Sequence, residues 1–264
     1  MGRIHLTFSQ LRAKNQKALI PYIMAGDPSL EMTEALVLEI ERAGADIVEL
    51  GVPFSDPIAD GPVIQGAAQR SLQAGTSLQQ IFRLVQSLRT RTQIPLVLMC
   101  YYNSILAYGE KRFCHAAVEA GVDGVIVPDL PVEEGAGFRK MARISALDVI
   151  LLLAPTSTAE RVGKAVKASQ GFVYYVSLTG VTGAQLVQVA AIEKKVREIR
   201  QASQLPVAVG FGISSPSEAA AVASIADGVI VGSALVKIIA KPAERSAVLN
   251  RVSAFVRDHK QAVS

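Results

Sequence analysis

Glu49 stands near the end of the apolar run Ala45-Asp46-Ile47-Val48-Glu49-Leu50-Gly51, and a polar loop carrying Asp56 and Asp60 follows at once. Alternate residues of a strand face opposite sides, so Ile47 and Glu49 share one face while Val48 and Leu50 share the other. One face packs against helices, and the other lines the interior if the sheet closes. Pointing inward, a buried carboxylate has a raised pKa and can accept and return a proton near neutrality. Pointing outward, it is an N-cap acceptor or an ion-pair partner. Asp60 either caps the following helix, which contains Gln65, or joins Glu49 as the second member of an acid-base pair on one rim. Spacing alone does not choose between Asp56 and Asp60.

Three glycine-rich segments offer a different chemistry. Val209-Gly210-Phe211-Gly212-Ile213-Ser214 and Val231-Gly232-Ser233-Ala234-Leu235 each follow an apolar run, and the second opens a short helix. Backbone amides at a helix start, approached closely because glycine has no side chain, bind phosphate without a basic residue. The loop Ser177-Leu178-Thr179-Gly180-Val181-Thr182-Gly183 is placed to close over such a site. Plain tight turns also use glycine. The coincidence of all three segments favours phosphate, because barrel phosphate sites are built after the late strands.

The elements that must carry these groups repeat along the chain. Eight apolar runs recur, each followed by a turn and an amphipathic stretch: Ile20–Met24, Ile47–Leu50, Pro95–Tyr101, Gly124–Val127, Val149–Leu153, Phe172–Val176, Val207–Gly210 and Gly228–Val231. Strand then helix, eight times over, predicts an α/β protein with one closed (β/α)8 barrel domain spanning residues 1–264, against the competing doubly wound open sheet. Ser77-Leu78-Gln79-Gln80, Ser157-Thr158-Ala159-Glu160 and Ser215-Pro216-Ser217-Glu218 have the spacing of helix-opening capping boxes. Met32, Leu36, Ile40 and Ala43 fall on one helical face. Ala45-Asp46-Ile47, Val122-Asp123-Gly124 and Ala226-Asp227-Gly228 echo one another, as repeated βα units would. An extra N-terminal helix, over roughly Phe8–Lys14, is expected to cover the bottom of the barrel.

Bulk properties remove other function classes. The chain has 264 residues, half of them hydrophobic, and a net charge of +4 with no basic block, so nucleic acid is not implied. The longest uncharged stretch, Ala168–Ile192, contains Gly171, Gly180 and Gly183 and makes a poor membrane span. Cys100 and Cys114 lack metal-ligand spacing and read as core thiols in a reducing compartment; no metal site and no secretory leader are expected.

The segment from Glu49 to Gln65, Glu49-Leu50-Gly51-Val52-Pro53-Phe54-Ser55-Asp56-Pro57-Ile58-Ala59-Asp60-Gly61-Pro62-Val63-Ile64-Gln65, closely resembles the signature of the tryptophan synthase alpha subunit family. Further similarity lies in Pro21–Pro28, Met99–Asn103, Val127–Pro131, Gly180–Gly183 and Gly210–Ile213, so it extends over essentially the whole chain. The resemblance implies a barrel lyase that splits indole-3-glycerol phosphate into indole and D-glyceraldehyde 3-phosphate by a retro-aldol step. It makes Glu49 the general acid-base group and Asp60 the partner of the indole N–H. It makes Tyr174 the group that orients Glu49, and places Tyr22, Ile64, Met99, Asp129, Thr182 and Phe211 around the substrate. It assigns phosphate to Gly183, Gly212, Gly232 and Ser233. The family works beside a pyridoxal-phosphate beta subunit in an alpha2beta2 heterotetramer, with no cofactor in the alpha chain, although some relatives release indole alone. It implies a cytoplasmic (or plastid-stromal) protein whose top-face loops, Asp56–Gln65 and the stretch after Tyr102, meet the partner. Two departures stand out: Tyr22 occupies a position where Phe is common, and Leu178 and Gln185 lie in a loop where many members carry arginine.

Overall fold

Every one of the eight apolar runs becomes a strand. The computed structural model describes residues 2–177, 185–210 and 212–264. The order is α1 (Arg3–Ala13), β1 (Ala18–Met24), α2 (Leu30–Arg42), β2 (Val48–Gly51), α3 (Pro62–Gln73), α4 (Leu78–Arg89), β3 (Leu96–Met99), α5 (Tyr102–Tyr108), α6 (Glu110–Ala120) and β4 (Gly124–Ile126). It continues with α7 (Ala136–Ile144), β5 (Asp148–Leu153), α8 (Ala159–Ala168), β6 (Val173–Val176), α9 (Gln185–Ala202), β7 (Val207–Gly210), α10 (Pro216–Ala223), β8 (Gly228–Val231), α11 (Ser233–Ile239) and α12 (Arg245–Val263). Each strand pairs in parallel with the next, and β8 pairs with β1 to close the barrel. β3 is shorter than its apolar run because Pro95 has no N–H to give, yet pairing persists past its end: the Cys100 N–H donates to the Ile126 carbonyl at 2.9 Å.

Two apolar shells result. The outer one lies between strands and helices and includes Met32, Leu36, Ile40 and Ala43 of the α2 segment, all buried. The inner one fills the barrel with Ile20, Ile47, Val97, Ile126, Ile150, Phe172, Ala208 and Ile230. Helix α1 closes that inner shell from below, with Ile4, Phe8 and Leu11 buried in it and the Phe8 and Phe172 rings 5.7 Å apart. It begins at Arg3, five residues before the expected start, because Ile4, flanked in sequence by Arg3 and His5, is its first core residue. With its floor sealed, the barrel is open to ligand from the end where strands run into loops.

The echoed aspartates have a shared role in this closure. Asp46, just before β2, accepts the Leu19 N–H of β1 at 2.8 Å; Asp123, just before β4, accepts the Leu96 N–H of β3 at 2.8 Å; Asp227, just before β8, accepts the Val207 N–H of β7 at 2.9 Å. Each satisfies an otherwise unpaired donor at the start of the preceding strand. Each also meets a cation: Lys260, Arg89 and Arg200 respectively. The echo is therefore a repeated strand-to-strand clasp, fixed by hydrogen bonding.

Capping boxes open α4 at Ser77/Gln80 and α10 at Ser215/Glu218, as the spacing predicts. Helix α8 departs from it: Thr158 is the N-cap and accepts the Arg161 N–H, while the Ser157 hydroxyl accepts the Ala154 N–H in the turn before it. Cys100 and Cys114 are both buried in the outer shell, and burial pushes the Cys114 thiol up to about 11. Among the described residues no helix is long and apolar enough to cross a membrane.

Candidate active site

Strand register settles the orientation of Glu49. It stands level with Tyr22 on β1 and Val97 on β3, and Val97 belongs to the inner shell. Val48 and Leu50, its neighbours in sequence, belong to the outer one. Glu49 therefore points into the barrel, 2% exposed, above the apolar floor. Its Oε2 has no hydrogen-bond partner among the described residues. Burial, and secondarily the charge of Asp60, push its pKa up to about 8. At neutral pH it is a protonated acid with an oxygen free for a ligand.

Asp60 is half-buried on the loop between β2 and α3, and it does not cap α3, whose N-cap is Gly61. Its Oδ2 accepts the Tyr101 hydroxyl at 3.1 Å, and that phenol oxygen in turn accepts the Ala59 N–H at 3.0 Å. Gln65 holds the same loop by donating its amide to the Asp60 carbonyl at 2.8 Å. Phe54 stacks on the Tyr101 ring at 5.1 Å, so aromatic packing fixes the residue that fixes Asp60. Burial raises the Asp60 pKa to about 6, and the Tyr101 hydrogen bond opposes the rise. Glu49 responds to Asp60 and not the reverse, because Asp60 ionises first while Glu49 is still neutral.

Sequence reasoning gave Tyr101 no role in the site. The signal was present in the alternation: Met99 faces inward at the end of β3, and the residue two further on continues that side into the loop. What alternation does not reveal is the reach of the phenol across to the β2 loop.

Two more phenols line the barrel mouth, from β1 and from β6, each beside a glycine. Tyr22 lies across Gly51 of the neighbouring strand, where a Cβ would come within 2.7 Å of its Cζ and closer still to its oxygen. Tyr174, on β6, lies across Gly210 of β7, where a Cβ would come within 2.6 Å of its hydroxyl. Both phenols are held well above the ordinary tyrosine range, first by burial and then by the carboxylates Glu49 and Asp60. They remain neutral hydrogen-bond donors. Tyr174 makes no hydrogen bond to Glu49 among the described residues.

Tyr22, Glu49, Asp60, Ile64, Met99, Asp129, Tyr174, Gly212, Gly232 and Ser233 all line one cavity. Ile64, in the first turn of α3, packs with Tyr22 and Met24 as an apolar wall. The Asp129 carboxylate is engaged in accepting the Tyr102 N–H at 2.9 Å, which ties it to the start of α5. Gly232 is the N-cap of α11 and Ser233 its first residue, so free backbone amides of the first turn stand at the cavity's edge. Gly212 has φ +79°, a conformation that favours glycine. Arg161, Lys237 and Lys241 line the same cavity. Thr182, Gly183 and Phe211, like Leu178, lie outside the described residues, and the Gln185 side chain is likewise not described.

The arrangement joins a neutral acid, an ionised carboxylate and an apolar wall in one cavity whose lining also carries the start of α11 and three cations. Comparison with known proteins agrees with it. A sequence model of the family described as "Tryptophan synthase alpha chain" matches residues 8–264. The tryptophan synthase alpha chain of Geotalea daltonii is 54% identical over 237 residues, covering 90% of both chains. That of Geobacter sulfurreducens is 52% identical over 264 residues, covering 100% of this chain and 99% of the relative. A crystal structure of tryptophan synthase subunit alpha from Legionella pneumophila superposes with TM-score 0.92 at 40% identity, covering 100% of this chain and 98% of that one.

Proposed function

The chain belongs to the tryptophan synthase alpha chain family, and from that premise we propose that Glu49 and Asp60 divide the work of its carbon–carbon cleavage. The reaction is retro-aldol cleavage of indole-3-glycerol phosphate to indole and D-glyceraldehyde 3-phosphate, and the chain is the lyase that performs it as the alpha subunit in tryptophan biosynthesis.

Protonated Glu49 delivers its proton to C3 of the indole ring. The Asp60 carboxylate faces the ring N–H and stabilises the cation that forms. Glu49, now a carboxylate, takes the proton from the hydroxyl on the carbon attached to C3. That carbon–carbon bond breaks, its electron pair returns to the indole, and the hydroxyl carbon becomes the aldehyde. Glu49 ends protonated, as it began. The observation that carries this assignment is the inward, buried and half-unpartnered Glu49 with a pKa of about 8 beside Asp60 at about 6, which sets an acid and an ion side by side at neutral pH.

Tyr101 positions Asp60, and Tyr174 positions Glu49 once substrate is bound. Tyr22, Ile64, Met99, Asp129, Thr182 and Phe211 surround the indole, while Gly183, Gly212, Gly232 and Ser233 take the phosphate. The amides at the start of α11, in a cavity that Arg161, Lys237 and Lys241 also line, favour a phosphate there. The family partners with a beta subunit. The finer assembly we propose is an alpha2beta2 heterotetramer in the cytoplasm (or plastid stroma), with pyridoxal phosphate in the beta subunit. Ile58 on the β2–α3 loop is 77% exposed and Leu106 on α5 is 50% exposed, so the two stretches expected to meet the partner each present an apolar residue to solvent.

The experiment is to incubate the chain with indole-3-glycerol phosphate and measure indole and glyceraldehyde 3-phosphate, with and without beta subunit. Asp60→Asn is expected to lower cleavage by about 100-fold or more, in the range of a lost electrostatic contact to the transition state. Asp56→Asn leaves the rate of the isolated chain within twofold. Equal losses for the two aspartates contradict the assignment.

A further inference from the structure

We propose that the Tyr22 hydroxyl makes the aromatic end of the cavity discriminate between ring-substituted substrates, favouring indole rings that carry a hydrogen-bond acceptor over the unsubstituted ring. This rests on the assignment of the cavity to an indole substrate. Tyr22 is only 5% exposed, yet it lines the cavity, and its surroundings on one side are the apolar Met24 and Ile64. Its hydroxyl lies over Gly51, and the missing side chain there is what gives the phenol oxygen its space. No described residue donates to that oxygen or accepts from it. Burial and the adjacent carboxylates keep the phenol un-ionised, so it offers one O–H at every pH at which the site works.

A donor with Met24 and Ile64 on one side, and no hydrogen bond to the carboxylates on the other, is neutral in cost while water reaches it and expensive once a ring excludes that water. The carbon edge of unsubstituted indole accepts nothing, so a ring that covers the hydroxyl with that edge leaves the donor unpaired. A ring nitrogen or hydroxyl at the matching position restores the lost hydrogen bond. Sites with a buried hydrogen-bonding group discriminate on this basis more strongly than sites that sense size alone. Phenylalanine at position 22 removes the discrimination without removing the ring.

The test uses the reverse reaction, condensation of D-glyceraldehyde 3-phosphate with indole, the hydroxyindoles substituted at positions 4 to 7, and the azaindoles. The readout is kcat/KM for each ring relative to indole, in the native chain and in Tyr22→Phe. For at least one ring position the ratio is expected to fall by about three- to tenfold in the variant, the worth of one neutral hydrogen bond, while kcat/KM for indole itself rises. Ratios that agree within twofold at every position overturn the proposal. Gly51→Ala, whose Cβ takes the space of the phenol oxygen, is the second perturbation and must erode the same ratio. If the native chain condenses no ring at all, the substrate assignment fails instead. Calorimetric binding of the same rings to native and variant chains then decides the proposal on affinity ratios alone.

Discussion

Glu49→Gln is expected to stabilise the protein while disabling it, and the stabilisation must depend on pH. The Glu49 carboxyl has its pKa raised from 4.5 to about 8 by burial. Below pH 4.5 both the folded and the unfolded chain hold that proton, and Glu and Gln are equivalent neutral groups. Between 4.5 and 8 the unfolded chain releases the proton and the folded chain keeps it, so native stability falls as pH rises, by about 1.4 kcal/mol per pH unit. At pH 7 the native protein has lost about 3 kcal/mol on this account, and above pH 8 about 5 kcal/mol. Gln has no such proton to lose. The amide meets the same unpartnered surroundings as Oε2, and the resulting cost of about 1–3 kcal/mol is the same at every pH. The assay is therefore a difference of slopes. Thermal unfolding of native and variant chains is followed from pH 4.5 to 8, where a chain of this size gains about 2–4 °C in Tm per kcal/mol. The variant's Tm advantage is expected to grow by about 6–12 °C between pH 4.5 and pH 7. An advantage that stays constant across that range refutes the buried, protonated carboxyl.

Other outcomes follow from the same geometry. The kcat/KM profile for cleavage is expected to be bell-shaped, rising through a limb near 6 as Asp60 ionises and falling through one near 8 as Glu49 loses its proton; a single limb contradicts the pairing. Tyr101→Phe removes the hydrogen bond that holds down the Asp60 pKa, so the acid limb moves to higher pH and kcat/KM at pH 7 falls by about three- to tenfold. An unmoved limb refutes the positioning role. Phe8→Ala opens the barrel floor and is expected to cost about 3–5 kcal/mol in denaturant unfolding, with activity per folded molecule retained.

That Glu49 shares a face with Ile47 was legible from alternation along β2, and the eightfold strand-helix repeat made one of the two faces a barrel interior; which face is theirs is decided by register with Val97 of the inner shell. The repeat also held its own explanation, since Asp46, Asp123 and Asp227 recur where each clasps the strand before it. The choice between Asp56 and Asp60 was not legible by spacing, because Asp60 is selected by the Tyr101 phenol reaching over from the end of β3, a contact 41 residues apart in sequence. The start of α1 was hidden for a related reason: Ile4 sits between Arg3 and His5, the nearby Leu6 stays exposed, and Ile4 reads as core only once the barrel floor exists. Thr158 displaced Ser157 as the cap of α8 because Ser157 was already engaged by the turn before the helix.

The most direct measurement is the rate of indole formation from indole-3-glycerol phosphate by Glu49→Gln, taken together with the affinity of that variant for the same substrate. Loss of a group that moves a proton at the reacting carbon predicts binding within a few-fold of native and cleavage lowered by about 100- to 10,000-fold. Cleavage within tenfold of native, at unchanged affinity, contradicts the role of Glu49.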